Sequence, residues 1–157
     1  MYIRKIVSKN LGPIKKIQLL LPLENGVPKP VVLVGENGTG KSTLISNVVD
    51  SFYEIAGAAY PDARKHGETE GYEFYKIINP IEIHTGEKYL YSYIKYESLS
   101  GEIPSIDYVF KSGRISNEEF RQNCDDCSQQ ISWTDDENFK KTTASKEDAE
   151  KIISSDI

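Results

Sequence analysis

One glycine-rich segment constrains the fold of this chain more than any other feature. Its nine residues, 35–43 (GENGTGKST), match the pattern G-x-x-x-x-G-K-[ST] at every required position. An unbroken apolar run, residues 31–34 (VVLV), precedes it, and an amphipathic pattern follows it. A short run of this kind is typical of a strand that is buried on both faces of a parallel or mixed sheet. The sequence therefore predicts an α/β fold in which a strand and a helix flank the glycine-rich loop.

The residue types in this loop indicate phosphate binding. Glycines let the backbone curl so that successive N–H groups point into one concavity, and the positive end of the following helix adds to the attraction. The pattern directs the Lys41 ammonium to the β- and γ-phosphates, makes the Ser42 hydroxyl a Mg²⁺ ligand and places Thr43 near the α-phosphate. We therefore predict a nucleotide-phosphate site formed by nine residues: Gly35, Glu36, Asn37, Gly38, Thr39, Gly40, Lys41, Ser42 and Thr43.

Strand and helix patterns surround the loop. Residues 2–7 and 17–21 predict two strands separated by a turn at Gly12-Pro13, and residues 44–59 carry an apolar face at helical spacing that Pro61 ends. Residues 62–73 predict an exposed loop, and the alternation of Ile81 with Ile83 predicts another extended segment. A hairpin is predicted from residues 89–96 to residues 106–110, and a helix from Ser116; residues 123–146 are acidic and irregular.

Three alternating tyrosines, Tyr89, Tyr91 and Tyr93, admit two interpretations. They resemble a platform on which nucleic-acid bases stack. No Arg or Lys is interleaved with the three rings, however, so the pattern favours a packed sheet face.

Composition narrows the class of protein. Of 157 residues, 38% are hydrophobic and 27% charged, values typical of a globular domain. The net charge of −5 excludes a uniformly basic nucleic-acid-binding surface. No run approaches the length of about 18 apolar residues that a membrane span requires. Two cysteines and a start without a signal-peptide pattern predict a cytoplasmic location.

Positive charge is concentrated near the beginning of the chain. Residues 1–30 contain six basic residues and one acid, Glu24, and we consider two interpretations: solvated faces, or a basic edge that helps to hold phosphates. The six are Arg4, Lys5, Lys9, Lys15, Lys16 and Lys29.

Residues 9–14 (KNLGPI) and the loop together resemble a known family. They are similar to the opening and the glycine-rich loop of ATP-binding cassette ATPases of the RecF/SMC/OLD type, within the AAA-family ATPases. The resemblance covers residues 1–59 well, and residues 72–113 agree in general character. It implies the N-terminal P-loop NTPase lobe of such an ATPase, with a P-loop strand and helix and an antiparallel β subdomain that includes residues 2–21. It also implies ATP and Mg²⁺ as ligands, with Asn10 and Leu11 near adenine and ribose.

The resemblance also implies an organisation and a set of partners. Residues 1–115 would form the nucleotide-binding lobe, with the loop at 35–43 and a β-rich part at 77–113. Residues 116–157 would form an acidic, partly helical segment that leads into a further C-terminal part. Relatives act in DNA repair, DNA maintenance or phage defence, so the full-length protein is expected to form a homodimer or larger assembly and to act on DNA or an effector protein, without a membrane.

Several family motifs are missing from these 157 residues. Hydrolysis needs an apolar run that ends in a carboxylate, and neither Asp50 nor Asp107 has that context. Residues 99–102 (LSGE) resemble the cassette signature but fall in a predicted turn. Candidates for the glutamine that senses the γ-phosphate are Gln122, Gln129 and Gln130. We therefore expect an ATPase that hydrolyses ATP only as part of a longer chain; its catalytic residues are unknown.

Other functions compete with this one. A regulatory module that binds ATP without hydrolysing it is the first alternative. A small P-loop kinase is disfavoured, because two strands precede the loop and no arginine-bearing lid is evident. Cys124 and Cys127 have the spacing of half a zinc site, but the histidines, His66 and His84, are distant, so free thiols are the favoured interpretation.

Overall fold

A five-stranded sheet organises the chain. The computed structural model describes residues 1–61, 83–127, 131–134 and 138–155. The strands are β1 (Tyr2–Leu11), β2 (Ile14–Leu20), β3 (Leu23–Glu24), β4 (Val27–Pro28), β5 (Tyr89–Glu97), β6 (Ile106–Gly113) and β7 (Phe139–Thr142). The helices are α1 (Lys41–Ala59), α2 (Asn117–Asn123) and α3 (Lys146–Ser155).

Every pairing in the large sheet is antiparallel. Its strand order is β2-β1-β5-β6-β7, and β3 and β4 form a separate two-stranded sheet. The β1–β2 and β5–β6 hairpins confirm the two strand pairs predicted from alternation. The described residues thus form a mixed α/β structure with an antiparallel sheet.

The two faces of the sheet bury different cores. Strand β5 sends Leu90, Ile94 and Tyr96 to the face covered by α1, and α3 adds Ala149 and Ile152 to that core. Its other face carries Tyr91 and Tyr93, both fully buried against the rings of Phe120 and Trp133 and their neighbours. The predicted packed tyrosine face is confirmed, since Tyr91 and Tyr93 have no surface on which a base could stack.

The predicted helix after the loop is confirmed, but its buried face differs from the predicted one. Asn47, Asp50 and Ser51 are buried against the sheet, whereas Ile45 and Phe52 are 54% and 44% exposed. These buried polar side chains contact the strands, and part of the apolar face that the spacing identified points away from the sheet.

The predicted buried strand at residues 31–34 is wrong. The structure places no strand there, and Val32 and Val34 are 81% and 90% exposed. Val31 and Leu33 line a small apolar cavity with side chains from α1 and the β1–β2 hairpin. A strand buried on both faces needs neighbouring strands and a layer on each side, and the described residues supply a layer on one side only.

The chain after residue 115 joins the same sheet. Ser116 caps α2 by accepting a hydrogen bond from the Glu119 N–H at 3.1 Å, as its pattern predicted. The acidic stretch contains β7, which pairs with β6 and which the sequence pattern did not predict.

The signature-like residues 99–102 lie in the β5–β6 turn. The predictions for residues 62–73 and Ile81, and Gln129 and Gln130, lie outside the described residues. Within the described part of the chain, no helix has the length and apolar character needed to cross a membrane.

The packing of Phe120 predicts a large stability effect. Phe120 is fully buried and contacts the rings of Tyr91, Tyr93 and Trp133. Phe120→Ala should lower the free energy of unfolding by about 3–5 kcal/mol because it leaves a cavity. Phe52→Ala, at a half-exposed position, should cost about 1 kcal/mol. Urea denaturation of both variants tests this expectation, and equal losses would contradict the assignment of Phe120 to the core.

Candidate functional site

The glycine-rich loop precedes α1 and closes on itself through backbone carbonyls. Thr39 donates from its N–H and its hydroxyl to the Glu36 carbonyl, at 3.4 and 2.9 Å. The Lys41 ammonium donates to the carbonyls of Gly35 and Glu36, both at 2.6 Å. The Lys41 side chain is therefore folded back over the loop, with its ammonium next to the backbone of Gly35 and Glu36.

The first turn of α1 has no capping side chain. Gly40, the residue before the helix, has φ +96° and makes no side-chain cap, and no acidic residue lies in the first turn. The first backbone hydrogen bond of the helix runs from the Leu44 N–H to the Gly40 carbonyl at 2.9 Å. The amides that precede it carry the positive end of a 19-residue helix. Such an end is suited to bind an anion.

A cleft of about 310 Å³ opens beside this helix end. The loop and the start of α1 form one wall, and the turn and first residues of β2 form the other. The cleft is lined by Pro13, Ile14, Lys15, Lys16, Ile17, Leu33, Val34, Thr39, Gly40, Lys41 and Leu44. It is large enough for the phosphate part of a nucleotide and open to solvent on one side.

The six N-terminal cations differ in whether they line this cleft and in whether an acidic side chain neutralises them. Lys15 and Lys16 line it, both are exposed, and neither has an acidic partner among the described residues. The other four are paired: Arg4 with Glu97 (3.9 Å), Lys5 with Asp126 (2.8 Å), Lys9 with Glu119 (3.6 Å), and Lys29 with Glu24. Sequence reasoning noted the basic edge but did not single out these two lysines. Their position directly after the Gly12-Pro13 turn was the available signal.

Gly40 lets the two walls of the cleft meet. A Cβ atom at this position would lie 2.5 Å from Ile14 Cγ1, so only a glycine permits this close approach. The positive φ of Gly40 imposes the same requirement on the backbone. Gly38 also has a positive φ, +82°, but a Cβ there would meet no atom within 4 Å.

The residues present can accommodate Mg²⁺ only together with a phosphate ligand. Ser42 is exposed in the first turn of α1, and its hydroxyl has no partner among the described residues. A single hydroxyl cannot bind this ion alone, since Mg²⁺ requires about six oxygen ligands and takes several from water and substrate phosphates. When bound, the ion would neutralise phosphate charge beside Ser42.

No carboxylate from the described part of the chain lines the cleft. Asp50 is buried on α1 and paired with Lys140, and Asp107 is buried and accepts a hydrogen bond from the Tyr93 hydroxyl at 2.9 Å. Gln122 is exposed on α2, which packs on the sheet face opposite α1. The structure does not bring any of these side chains to the phosphate site.

Asn10 and Leu11, which the resemblance places near adenine and ribose, are buried. Their exposed fractions are 1% and 0%, and neither lines the cleft. The Asn10 carbonyl accepts a hydrogen bond from the His84 N–H at 2.8 Å. Both residues therefore lie beneath the surface, and the residues that follow, 13–17, form the wall of the cleft.

Cys124 and Cys127 belong to the core that contains Phe120. Burial raises the pKa of both thiols, that of Cys127 to about 12. Metal ligation requires thiolates, which this environment disfavours. Among the residues that the structure describes, no group of three or more His, Cys, Asp or Glu side chains could hold a metal ion.

Comparison with known proteins yields no relative. No protein-family model, no curated protein and no solved structure matches this chain. The residues of the site are therefore the basis on which a function can be proposed.

The two glycines of positive φ provide a matched pair of substitutions. Gly38→Ala should cost about 1–2 kcal/mol of stability, the cost of a left-handed conformation for an L-residue. Gly40→Ala has the same backbone cost and also displaces Ile14, so its loss should be larger by about 1 kcal/mol or more. Thermal unfolding of both variants measures the difference. Equal losses would show that the loop and the hairpin do not make this contact.

Proposed function

We propose that this chain is the Mg·ATP-binding lobe of a RecF/SMC/OLD-like ATPase that acts in the cytoplasm. The observation that carries the proposal is the convergence of Lys41, the uncapped start of α1 and the two unpaired lysines Lys15 and Lys16 on one cleft. The resemblance of the opening and the loop to that family supports ATP as the nucleotide.

The electrostatics of the cleft favour a polyphosphate. Three lysine residues line it, and the described residues place no acidic residue among them. A triphosphate carries several negative charges, so charge-assisted hydrogen bonds from Lys41 and the α1 amides would be reinforced by the opposite wall. Ser42 would hold Mg²⁺ beside the same phosphates.

Hydrolysis is proposed to need residues other than those that the structure describes. A carboxylate must position the attacking water, and Asp50 and Asp107 are both engaged in buried contacts away from the cleft. The exposed apolar residues 31–34 support a longer protein, because further strands would bury Val32 and Val34. In that full-length protein we expect a homodimer or larger assembly with a role in DNA repair, DNA maintenance or phage defence, acting on DNA or an effector protein.

A regulatory module that binds ATP without hydrolysing it is the second candidate. The same absence of a carboxylate from the cleft favours it. A small P-loop kinase receives less support, because Arg4 and Arg121 donate to the backbone carbonyls of Leu21 and Ile131, at 2.6 and 2.8 Å, and neither lines the cleft.

Nucleotide affinity should depend on Lys41. Lys41→Ala should weaken Mg·ATP binding by about tenfold to a hundredfold, because it removes a charge-assisted hydrogen bond to phosphate. The double variant Lys15→Ala/Lys16→Ala should weaken it by about threefold to tenfold. Titration with a fluorescent ATP analogue measures both effects.

Lys146→Ala serves as the control, since it removes one positive charge from α3, where Lys146 pairs with Glu150 at 3.8 Å outside the cleft. It should bind like the parent chain. Parental binding by Lys41→Ala would overturn the assignment of the site.

The rate of phosphate release from ATP distinguishes nucleotide binding from hydrolysis. The isolated chain should release phosphate from ATP far more slowly than about 1 s⁻¹, an ordinary enzyme rate, because none of the carboxylates that the structure describes lines the cleft. A coupled phosphate assay with saturating Mg·ATP checks this. Release at or above that rate that disappears in Lys41→Ala would show that the chain contains its own catalytic carboxylate.

A further inference from the structure

Helix α1 rests on the sheet through polar side chains. Asn47, Asp50 and Ser51 are each at most 1% exposed, and all three make polar contacts with strands of the sheet. A helix that packs on a sheet ordinarily presents a stripe of apolar residues to it. The apolar residues Leu44 and Ile55 are also buried at this interface, but they flank a polar centre.

One chain of hydrogen bonds connects α1 to the two central strands. Asn47 Nδ2 donates to Ser92 Oγ on β5 at 2.5 Å, and Ser92 Oγ lies 2.7 Å from Ser8 Oγ on β1. Ser8 and Ser92 are paired across the β1–β5 ladder. The helix is thereby bonded to the pair of strands that leads into the cleft, since β1 continues through the Gly12-Pro13 turn.

Two further contacts extend this polar interface along the helix. The Ser51 hydroxyl bonds the Tyr96 hydroxyl on β5. Asp50 pairs with Lys140 on β7, whose ammonium also lies 5.1 Å from the centre of the Phe110 ring. Two strands of the sheet, β5 and β7, thus hold α1 through direct polar bonds, and β1 is linked to it through Ser92.

Asn47 is poorly suited to a purely stabilising role. Its Oδ1 atom is buried and has no hydrogen-bond partner among the described residues. A buried polar group that is half satisfied costs stability, and its replacement by an apolar group of the same shape is tolerated where the partner keeps another hydrogen bond, as Ser92 Oγ does with Ser8 Oγ at 2.7 Å. Hydrogen bonds depend on direction, however, whereas apolar contacts tolerate sliding and rotation. The benefit of Asn47 would then lie in the position it imposes on the helix.

We propose that Asn47, through Ser92, is a positioning residue that sets the rotation and axial position of α1 and so aims Lys41, Ser42 and the first-turn amides at the phosphates. The inference rests on the proposed function. Asn47 lies four residues after Thr43, about 6 Å along the helix axis, so a rotation or slide of the helix at Asn47 reaches the site undiminished.

The test uses Asn47→Leu, which preserves the shape of the side chain and removes its hydrogen bond. We expect its affinity for inorganic tripolyphosphate and for Mg·ATP to fall about tenfold, while its midpoint of urea unfolding stays equal to or above that of the parent chain. Tyr93→Phe is the matched control, because it removes a buried hydrogen bond from the opposite face of β5. It should unfold at lower urea and bind both ligands like the parent.

The affinity of the Asn47→Leu variant for the two ligands decides whether Asn47 positions the helix. Parental affinity in folded Asn47→Leu overturns the proposal. If Asn47→Leu does not fold, Ser92→Ala replaces it, with an expected loss of about fivefold; parental affinity there also overturns the proposal.

If the parent chain binds neither tripolyphosphate nor Mg·ATP, the proposed function fails, and the positioning role is decided without ligand. The amide chemical shifts of Gly38 and Gly40 should then change in Asn47→Leu and stay constant in Tyr93→Phe. Unchanged shifts in both variants would overturn the positioning role.

Discussion

The seating of α1 on the antiparallel sheet is the interaction on which the rest of the structure depends. Its polar centre bonds the helix to β5 through Asn47 and, by way of Ser92, to Ser8 on β1, and its apolar flanks, Leu44 and Ile55, join the larger core. Because the loop is continuous with α1 and the β1–β2 turn is continuous with β1, one interface places both walls of the cleft. The close approach of Gly40 to Ile14 is the consequence of that placement.

Charge pairing on the surface leaves the positive charge of the N-terminal lysines concentrated at the cleft. The chain carries net charge −5, yet the described residues leave the cleft lined by cations and by no acid. Most N-terminal cations are neutralised by a neighbouring acidic side chain, as Lys5 is by Asp126. These cations therefore add little positive potential at the cleft. Lys15 and Lys16 retain an unneutralised charge opposite Lys41. An acidic protein can therefore carry a cleft lined by lysines.

Local pattern was sufficient for the elements whose partners are near in sequence. The β1–β2 and β5–β6 hairpins and the start of α2 at Ser116 followed from alternation, turn residues and a capping residue. Prediction failed where partners are distant. Strand β7 is short and lies in an acidic stretch, and it forms because β6 offers it a free edge. Residues 31–34 have strong strand propensity, but a strand exists only where another strand pairs with it.

The sequence alone determined which chemical groups the loop carries, because its glycines, Lys41 and Ser42 lie within nine positions. Local backbone geometry brings these residues together without any distant contact. Tertiary structure decided the rest of the site. Lys15 and Lys16 are separated from Lys41 by more than twenty residues, and only the packing of α1 on β1 and β5 carries them to the opposite wall. Rotation of α1 likewise could not be foreseen, because the apolar spacing favours one face, whereas the face turned to the sheet carries the hydrogen bond of Asn47 and the ion pair of Asp50. Spacing records which side chains avoid water, whereas directional bonds depend on where their partners lie in space.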